Sequence, residues 1–372
     1  MAAAGHVRWL ADAGAFDWTG RVQSRQMDDA TPQPEMGLGP DPELVRELLA
    51  IRPGGLGDVV RAVPALRHLR ATYPTARITV AAEAPARELL GSCPYVDRVI
   101  DLRRPSEALL ERFEVAISFA PPGADAKLSV DDVNARFRAA WSESGEGVRG
   151  AIRPHWPERT PDASRMLRLA WLLGGDLHED PSFGLWPSLV DRNGAAQLVA
   201  EASRPIALVH VGAGTAARRW PAERWTRVID LLERTGFEAV LVGAGRDRSS
   251  TAAVVAGVVH PPLDLVGRTS VGELVGLLER CALFIGADSG PAALAGALGV
   301  RSVIVGPATA VEHQARPGHV DLVAAGACVR CGEHACDHPP AAAADVSLER
   351  VLGRLELAAA TAFERWQAAR IA

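Results

Sequence analysis

The chain has 372 residues, of which 48% are hydrophobic and 23% are charged, and its formal net charge is −5. This length and composition predict a globular protein of two domains with separate cores. A mildly acidic chain gives no overall electrostatic reason to bind nucleic acid, so we expect no such partner. Residues 1–20 contain no sustained apolar run, which argues against a secretory signal or transmembrane segment and favours a cytoplasmic protein.

The first part of the chain predicts a loose extension followed by an α/β domain. Residues 1–45 have no clear period and end in many proline and glycine residues, so we expect an extension and a linker. Strands are expected at 48–52, 77–82, 98–102 and 114–119, and helices after the first strand and at 84–90, 106–111 and 163–173. Over residues 120–156 the pattern weakens, and we expect a long loop. The alternation over 46–185 predicts a parallel sheet covered by helices.

A second alternating series begins near residue 206, after a hinge that we expect near residues 180–200. Its strands are expected at 206–211, 239–242, around Ile285 and at 302–305, and its helices at 221–235 and 271–281. Ser270 and Glu273 match a capping box at the start of the last of these helices. The simplest architecture is two Rossmann-like halves. Residues 346–372 predict a C-terminal helix that could pack on either domain.

An apolar run of strand length ends at Asp288, Ser289 and Gly290, and a short helix is expected to follow. Pro291 falls where a first helical position would be, and Gly299 falls where the helix would end. Such a turn would aim backbone N–H groups and the positive end of the helix at one point, which suits a phosphate or pyrophosphate. The alternative is an ordinary turn of a parallel sheet without a ligand.

The glycine turn after the first strand contains Gly55, Gly57 and Asp58 and allows two interpretations. A dinucleotide site would use Glu83, at the end of the next strand, for the ribose, but its glycine pattern would need glycine where Val60 stands. Asp58 would otherwise cap the helix that follows, because Asp at a helix start accepts backbone hydrogen bonds. Since open α/β sheets place their sites at the carboxyl ends of strands, a catalytic Asp58 also stays open.

Two loops of the second domain carry groups that suit a nucleotide. The loop at 210–221 offers glycines, the hydroxyl of Thr215 and the guanidinium groups of Arg218 and Arg219, which can donate to phosphate. The alternative is an arginine-rich surface loop. After the next strand, Asp247 could hold ribose hydroxyls or could be a solvated acid.

In this combination and order, these stretches resemble glycosyltransferase family 9, the ADP-heptose:lipopolysaccharide heptosyltransferases and their relatives. The resemblance covers residues 48–345, and its most specific parts are the GxGD turn within 52–64, the Trp-Pro-x-x-x-Trp motif within 212–225, and residues 265–270 and 288–291. It implies an α/β GT-B fold, in which two Rossmann-like domains with parallel sheets face each other across a cleft. The acceptor-binding domain would be 46–185 and the nucleotide-sugar-binding domain 186–345, with inversion at the anomeric carbon and no required metal or other cofactor.

The resemblance also implies roles for single residues. The matching Asp of the GxGD turn is the proposed base of the family, so Asp58 is expected to be the general base. Asp288 is expected beside the donor sugar, and Arg218 stands at the diphosphate, where family members carry Lys. The implied donor is a nucleotide-diphosphate sugar such as ADP-heptose, and the acceptor is a glycan, a glycolipid or a small molecule. Ala293 stands where relatives usually carry His, which leaves open a non-catalytic nucleotide-sugar binding module or an epimerase or hydrolase of the same fold.

Three cysteines, Cys328, Cys331 and Cys336, lie close to His334 and His338 near the end of the chain. Such a set of thiols and imidazoles could hold zinc. Cysteine-rich tails also occur in the family that the chain resembles, and there we expect a folded loop near the cleft instead. We therefore expect reduced cysteines and no metal.

Overall fold

The computed structural model describes residues 38–124, 127–143, 151–155, 162–176, 183–215, 218–306, 320–324 and 343–371. The chain divides into two compact units, Met1–Phe183 and Gly184–Ala372. Most of the expected N-terminal extension and the cysteine segment 328–336 lie outside the described residues. In the part of the chain that is described, no helix is long and apolar enough to cross a membrane.

The first unit is built on a six-stranded parallel sheet with the strand order β3-β2-β1-β4-β5-β6. Its strands are β1 (Glu47–Arg52), β2 (Arg77–Ala82), β3 (Arg98–Asp101), β4 (Arg112–Ser118), β5 (Asn134–Ala140) and β6 (Ala151–Ile152). Its helices are α1 (Leu56–Thr72), α2 (Ala84–Leu90), α3 (Ser106–Leu110) and α4 (Asp162–Trp171). The central strand β1 is buried from Leu48 to Arg52, as expected for a strand with neighbours on both sides and helices on the faces of its sheet.

The expectation of a long loop over residues 120–156 is wrong in part, because this stretch contributes β5 and β6. Polar residues interrupt the apolar pattern of β5, yet its backbone pairs with β4 in parallel register. Arg138 of β5 donates to the main-chain oxygens of Val130 and Val133, each at 3.0 Å, so its partly buried guanidinium is satisfied. Strand pairing and local hydrogen bonds, which side-chain periodicity does not report, therefore define this part of the sheet.

The second unit repeats the same topology, since its parallel sheet has the order β12-β11-β10-β7-β8-β9. Its strands are β7 (Ile206–His210), β8 (Glu238–Leu241), β9 (Leu263–Asp264), β10 (Leu283–Ala287), β11 (Ser302–Gly306) and β12 (Val320–Ala324). Its helices are α5 (Leu189–Leu198), α6 (Ala222–Arg234), α7 (Arg248–Val255), α8 (Val271–Arg280), α9 (Gly290–Leu298) and α10 (Leu348–Ile371). The sequence did not predict β9, β12 or α7, of which β9 has only two residues.

Local sequence signals place two helices of the second unit correctly. The Ser270 hydroxyl accepts the Glu273 N–H at 2.9 Å, and the Glu273 carboxylate accepts the Ser270 N–H at 2.7 Å, so the capping box at α8 is confirmed. Gly299 ends α9 in the left-handed conformation with φ 68°, as predicted. Pro291 is the second residue of α9 instead of the first, because Gly290 already has helical geometry.

The C-terminal helix α10 packs on the second unit. Leu355, Ala358 and Ala362 lie fully or almost fully buried in the hydrophobic core of that unit. Phe363 contacts Phe237 edge-on, with 6.0 Å between the ring centroids. Helix α10 therefore completes the core of the second unit.

Candidate functional site

The two sheets place their functional loops at equivalent points. In each unit the strand order reverses beside the first strand, between β1 and β4 in the first unit and between β7 and β10 in the second. Loops that follow such a pair at the carboxyl edge of a parallel sheet leave a crevice in which ligands bind. The glycine turn follows β1, and the loops with Arg218 and Asp288 follow β7 and β10.

The glycine turn is shaped around the carboxylate of Asp58. Gly54 has φ 109°, and a Cβ at this position would lie 2.3 Å from Oδ2 of Asp58, so both the conformation and the space require glycine. Gly55 precedes the first helical residue of α1, and Gly57 is the second. Asp58 is the third, and its Oδ2 accepts the N–H of Gly55 at 2.8 Å. The contact with the Gly55 N–H is thus the kind of capping contact that the sequence suggested, and it is one of several contacts of Asp58.

Two arginines hold the other oxygen of the same carboxylate. Oδ1 of Asp58 accepts from Nη2 of Arg52 at 3.0 Å and from Nη2 of Arg61 at 2.9 Å. Arg52 is only 6% exposed, and its Nε and Nη1 donate to the main-chain oxygens of Asp58 and Pro53, each at 3.1 Å. Burial lowers the pKa of Arg52, while the negative charge of Asp58 opposes this shift. The carboxylate is therefore fixed in place by charge-assisted hydrogen bonds.

A cavity of about 260 Å³ opens beside Asp58 within the first unit. Loops after β1, β4 and β5 and the start of α4 form its wall, which includes Arg52, Phe119, Pro121, Trp141, Asp162 and Arg165. The loops after β4 and β5 fall mostly within residues 120–156, where the sequence showed its weakest pattern. The cavity combines aromatic surface with charged groups, a combination that suits the apolar face and the hydroxyls of a sugar ring.

The carboxylate of Asp58 keeps one free position for a proton. A carboxylate offers about four lone-pair sites, two on each oxygen. Both sites of Oδ1 accept from arginine, and one site of Oδ2 accepts from Gly55. The remaining site on Oδ2 has no hydrogen bond within the described residues, and the side chain of Asp58 is 32% exposed. Asp58 can therefore accept a proton from a hydroxyl group that enters this cavity.

In the second unit, the carboxylate of Asp288 has fewer partners within the described residues than that of Asp58. Asp288 is 8% exposed, and its Oδ2 makes no hydrogen bond within the part of the chain described. Within the same part of the chain its ion-pair partner is Arg218, whose Nε lies 3.5 Å from that oxygen and whose side chain is 39% exposed. A buried acceptor without a hydrogen bond is costly, and its retention calls for an explanation such as a ligand.

The start of α9 is open to a ligand. The hydroxyl of Ser289 donates back to the main-chain oxygen of Ala287 at 2.9 Å, so this side chain does not cap the helix. The first N–H groups of α9, beginning with Gly290, thus have no side-chain cap and carry the positive end of the helix dipole. Ala293, one turn further, is buried and offers no polar group.

Asp247 forms part of the packing between two loops. Its Oδ2 accepts the Ala244 N–H at 2.9 Å, and a Cβ at Gly212 or Gly243 would lie 2.4 or 3.0 Å from its carboxylate oxygens. His210 lies beside it and is buried, which lowers the pKa of this imidazole. The glycines of these loops thus let the backbone pack against Asp247, a contact that their sequence pattern alone did not reveal.

The structure brings some of the expected site residues together and adds others. Arg218 and Asp288 meet across two loops, whereas Thr215 and Arg219 are exposed on the same loop as Arg218. Sequence reasoning missed the roles of four further residues around Asp58, which are Arg52, Gly54, Arg61 and Asp162. Arg61 lies one helical turn after Asp58, a spacing that could have revealed it. Asp162 is distant in the sequence and gave no such signal.

Comparison with known proteins gives consistent matches. The model of "Glycosyltransferase family 9 (heptosyltransferase)" matches residues 155–315. Lipopolysaccharide heptosyltransferase 2 of Salmonella typhimurium is 26% identical over 281 residues, which cover 68% of this chain and 80% of that protein. The enzyme of the same name from Escherichia coli strain K12 is 26% identical over 278 residues, with the same coverage of both chains. The chain is therefore a glycosyltransferase that is similar to the heptosyltransferases of family 9.

Solved structures agree with this fold. The glycosyl transferase family 9 protein of Veillonella parvula has a TM-score of 0.70 at 18% identity, over 87% of this chain and 99% of the other. The E. coli ADP-heptose lps heptosyltransferase II has a TM-score of 0.67 at 21% identity, over 85% and 99% of the two chains. This glycosyltransferase therefore has the expected α/β fold of the GT-B type with two parallel sheets. Within the described residues, no group of three or more His, Cys, Asp or Glu side chains forms a metal site, and Cys328, Cys331 and Cys336 lie outside them.

Proposed function

We propose that this glycosyltransferase moves a heptose or a related sugar from ADP-heptose, or a similar nucleotide-diphosphate sugar, to an acceptor hydroxyl, with inversion at the anomeric carbon. The observation that carries this proposal is the partly exposed carboxylate of Asp58, which is fixed by two arginines and leaves one lone-pair site of Oδ2 without a hydrogen bond in the described residues. Heptosyltransferases among its relatives support the class of donor. We place the reaction in the cytoplasm and expect no metal requirement.

The second unit is the proposed donor side. The diphosphate would bind the N–H groups at Ser289 and Gly290 and the guanidinium of Arg218, because helix starts and arginines both favour phosphate. Asp288 would then accept hydroxyls of the donor sugar. This arrangement would give Oδ2 of Asp288 the hydrogen-bond partner that it lacks in the described residues.

Three other residues of the second unit remain candidate donor contacts. Asp247 uses one oxygen for the Ala244 N–H, and its other oxygen is proposed to hold a ribose hydroxyl. Thr215 and Arg219 are exposed on the loop after β7 and are proposed to contact the nucleotide or its phosphates.

The first unit is the proposed acceptor side, with Gly55 and Gly57 in the turn that presents Asp58. The acceptor hydroxyl would attack the anomeric carbon from the face opposite the leaving nucleoside diphosphate. As the new glycosidic bond forms, the bond to the diphosphate breaks, and the hydroxyl proton passes to Oδ2 of Asp58. Trp141 in the cavity wall favours an acceptor that presents a sugar ring, as a glycan or glycolipid does.

Turnover of the donor tests this proposal and separates it from its alternatives. The protein is incubated with ADP-heptose in the presence and absence of a lipopolysaccharide core acceptor, and ADP release and product are measured. We expect ADP release only with acceptor, and a product whose anomeric configuration, read by NMR, is opposite to that of the donor. ADP release without acceptor would identify a hydrolase, binding without turnover a non-catalytic module, and retained configuration would contradict the inverting mechanism.

A further inference from the structure

The guanidinium of Arg61 lies between two carboxylates of the first unit. Its Nη2 donates to Oδ1 of Asp58 at 2.9 Å, while its Nε faces Oδ2 of Asp162 at 3.4 Å. Asp162 is the first residue of α4 and lines the same cavity as Asp58. The proposed base is therefore connected, through one arginine, to a second acid on a different helix.

The two arginines that hold Asp58 differ in how they are held themselves. Arg52 is anchored within its own turn, because it donates to the main-chain oxygens of Pro53 and Asp58. Arg61 has no such local anchor in the described residues, where its buried Nε makes no hydrogen bond. Asp162 is the only other acid within ion-pair distance of Arg61 in that part of the chain. The orientation of Arg61 consequently depends on α4.

The packing of helix α4 against α1 holds Asp162 beside Arg61. The carboxyl ends of α1 and α4 are joined by two hydrogen bonds. The Tyr73 hydroxyl donates to the main-chain oxygen of Leu173 at 3.1 Å, and the Thr72 hydroxyl donates to that of Gly174 at 3.2 Å. At the start of α4, Arg165 also lies 3.4 Å from Asp162. The helix pair is thus fixed at both ends, with Asp162 beside Arg61.

We propose that Asp162 is a positioning residue that keeps the candidate base open, a role that rests on the function proposed above for Asp58. An arginine and a carboxylate favour a bidentate pair, in which two guanidinium nitrogens meet both carboxylate oxygens. If Arg61 paired with Asp58 in this way, it would occupy the free site on Oδ2. Asp162 attracts Nε of Arg61 and so restricts Arg61 to Oδ1.

A double-mutant cycle on Arg61 and Asp162 tests this role. Asp162→Asn removes the competing charge but keeps the size and helix-starting ability of the residue. We expect it to lower kcat roughly tenfold, the scale of one charge-assisted hydrogen bond, with little change in donor affinity. Arg61→Ala added to Asp162→Asn should restore kcat to the level of Arg61→Ala alone, since no guanidinium is left to block Oδ2. Asp162→Glu should keep most of the activity.

The matched control is another ion pair of the same sheet. Glu47 accepts from Arg77 at 3.0 Å at the opposite end of β1 from the glycine turn, and Glu47→Gln should leave kcat unchanged. A near-wild-type kcat for Asp162→Asn, or a double variant slower than Asp162→Asn, would overturn the proposal. The proposed function fails by a different result, namely full activity of Asp58→Asn. If Asp162→Asn does not fold by circular dichroism, Asp162→Ser takes its place in the same cycle, since Ser also suits a helix start: a lowered kcat that Arg61→Ala relieves supports the role, and a near-wild-type kcat overturns it.

Discussion

The two units carry one topology but treat their central carboxylates in opposite ways. Asp58 in the first unit accepts from Arg52, from Arg61 and from a backbone N–H, at 2.8 to 3.0 Å. Asp288 in the second unit has a single ion pair at 3.5 Å and an oxygen without a hydrogen bond in the described residues. A fixed carboxylate suits a group that must receive a proton in one geometry. An unsatisfied one suits a group whose partners arrive with the ligand.

The largest expected effect tests whether Asp58 is a base or only a structural cap. Asp58→Asn keeps an oxygen for Arg52 and Arg61 but cannot take the proton. General-base catalysis contributes about 10²- to 10⁴-fold, so transfer from ADP-heptose should slow by that factor. Donor binding, measured by calorimetry, should stay within error of wild type. A variant that folds, binds donor and transfers at near the normal rate would reduce Asp58 to a helix cap.

On the donor side, Arg218, the ion-pair partner of Asp288, should contribute mainly to the affinity for the ligand. Arg218→Ala removes one charge-assisted contact to the diphosphate, worth about 1.5 to 3 kcal/mol, so the Kd for ADP should rise roughly tenfold to 150-fold. Arg227, exposed on α6, offers the control, and Arg227→Ala should leave the Kd unchanged. If calorimetry gives equal ADP affinity for Arg218→Ala and wild type, the diphosphate does not bind at Arg218.

The sequence predicted the fold where side-chain patterns and local hydrogen bonds decide it. Central strands such as Ile206–His210 are apolar up to their last residue, and the Ser270 cap depends on residues three positions apart. Short or polar strands toward the ends of the sheets escaped prediction, because β5 and β9 are held by backbone pairing with neighbours that are distant in the sequence. Such pairing leaves little trace in local composition.

The same limit applies to the candidate site: local sequence features revealed some of its residues, and tertiary packing supplied the others. Asp58 and Asp288 stand in turns between a strand and a helix, which is a local feature, and the resemblance to family 9 implied their roles. The partners that give each carboxylate its character were not all found, since Asp162 lies 104 positions after Asp58 in the numbering and reaches it only through the packing of α4 on α1. Gly54 was passed over in favour of Gly55 and Gly57, although its φ of 109° makes it the demanding glycine.

A third carboxylate, that of Asp247, tests whether the second unit also contains an acid that is held in place by its neighbours. Gly212→Ala would place a Cβ 2.4 Å from the Asp247 carboxylate, whereas a Cβ at Gly214 meets nothing within 4 Å. Overpacking of this kind costs about 1 to 3 kcal/mol. We expect Gly212→Ala to lower Tm by several degrees and Gly214→Ala to leave it nearly unchanged, as measured by calorimetry. Equal Tm values would mean that Asp247 moves freely and does not hold the loops.

The smallest expected effect concerns the stability of the two carboxylate variants, and it compares the units most directly. Asp288→Asn removes one long ion pair to an arginine that is 39% exposed and remains hydrated, so the free energy of unfolding should change by less than about 1 kcal/mol. Asp58→Asn weakens charge-assisted contacts to the buried Arg52, so it should cost more, about 1.5 to 3 kcal/mol.

Ligand affinities measured by calorimetry complete the comparison. Asp288→Asn should weaken ADP-heptose binding but not ADP binding, because only the sugar would contact Asp288. If Asp288→Asn destabilises the protein as much as Asp58→Asn and leaves ADP-heptose affinity intact, then Asp288 is a structural acid and the contrast between the two units is wrong.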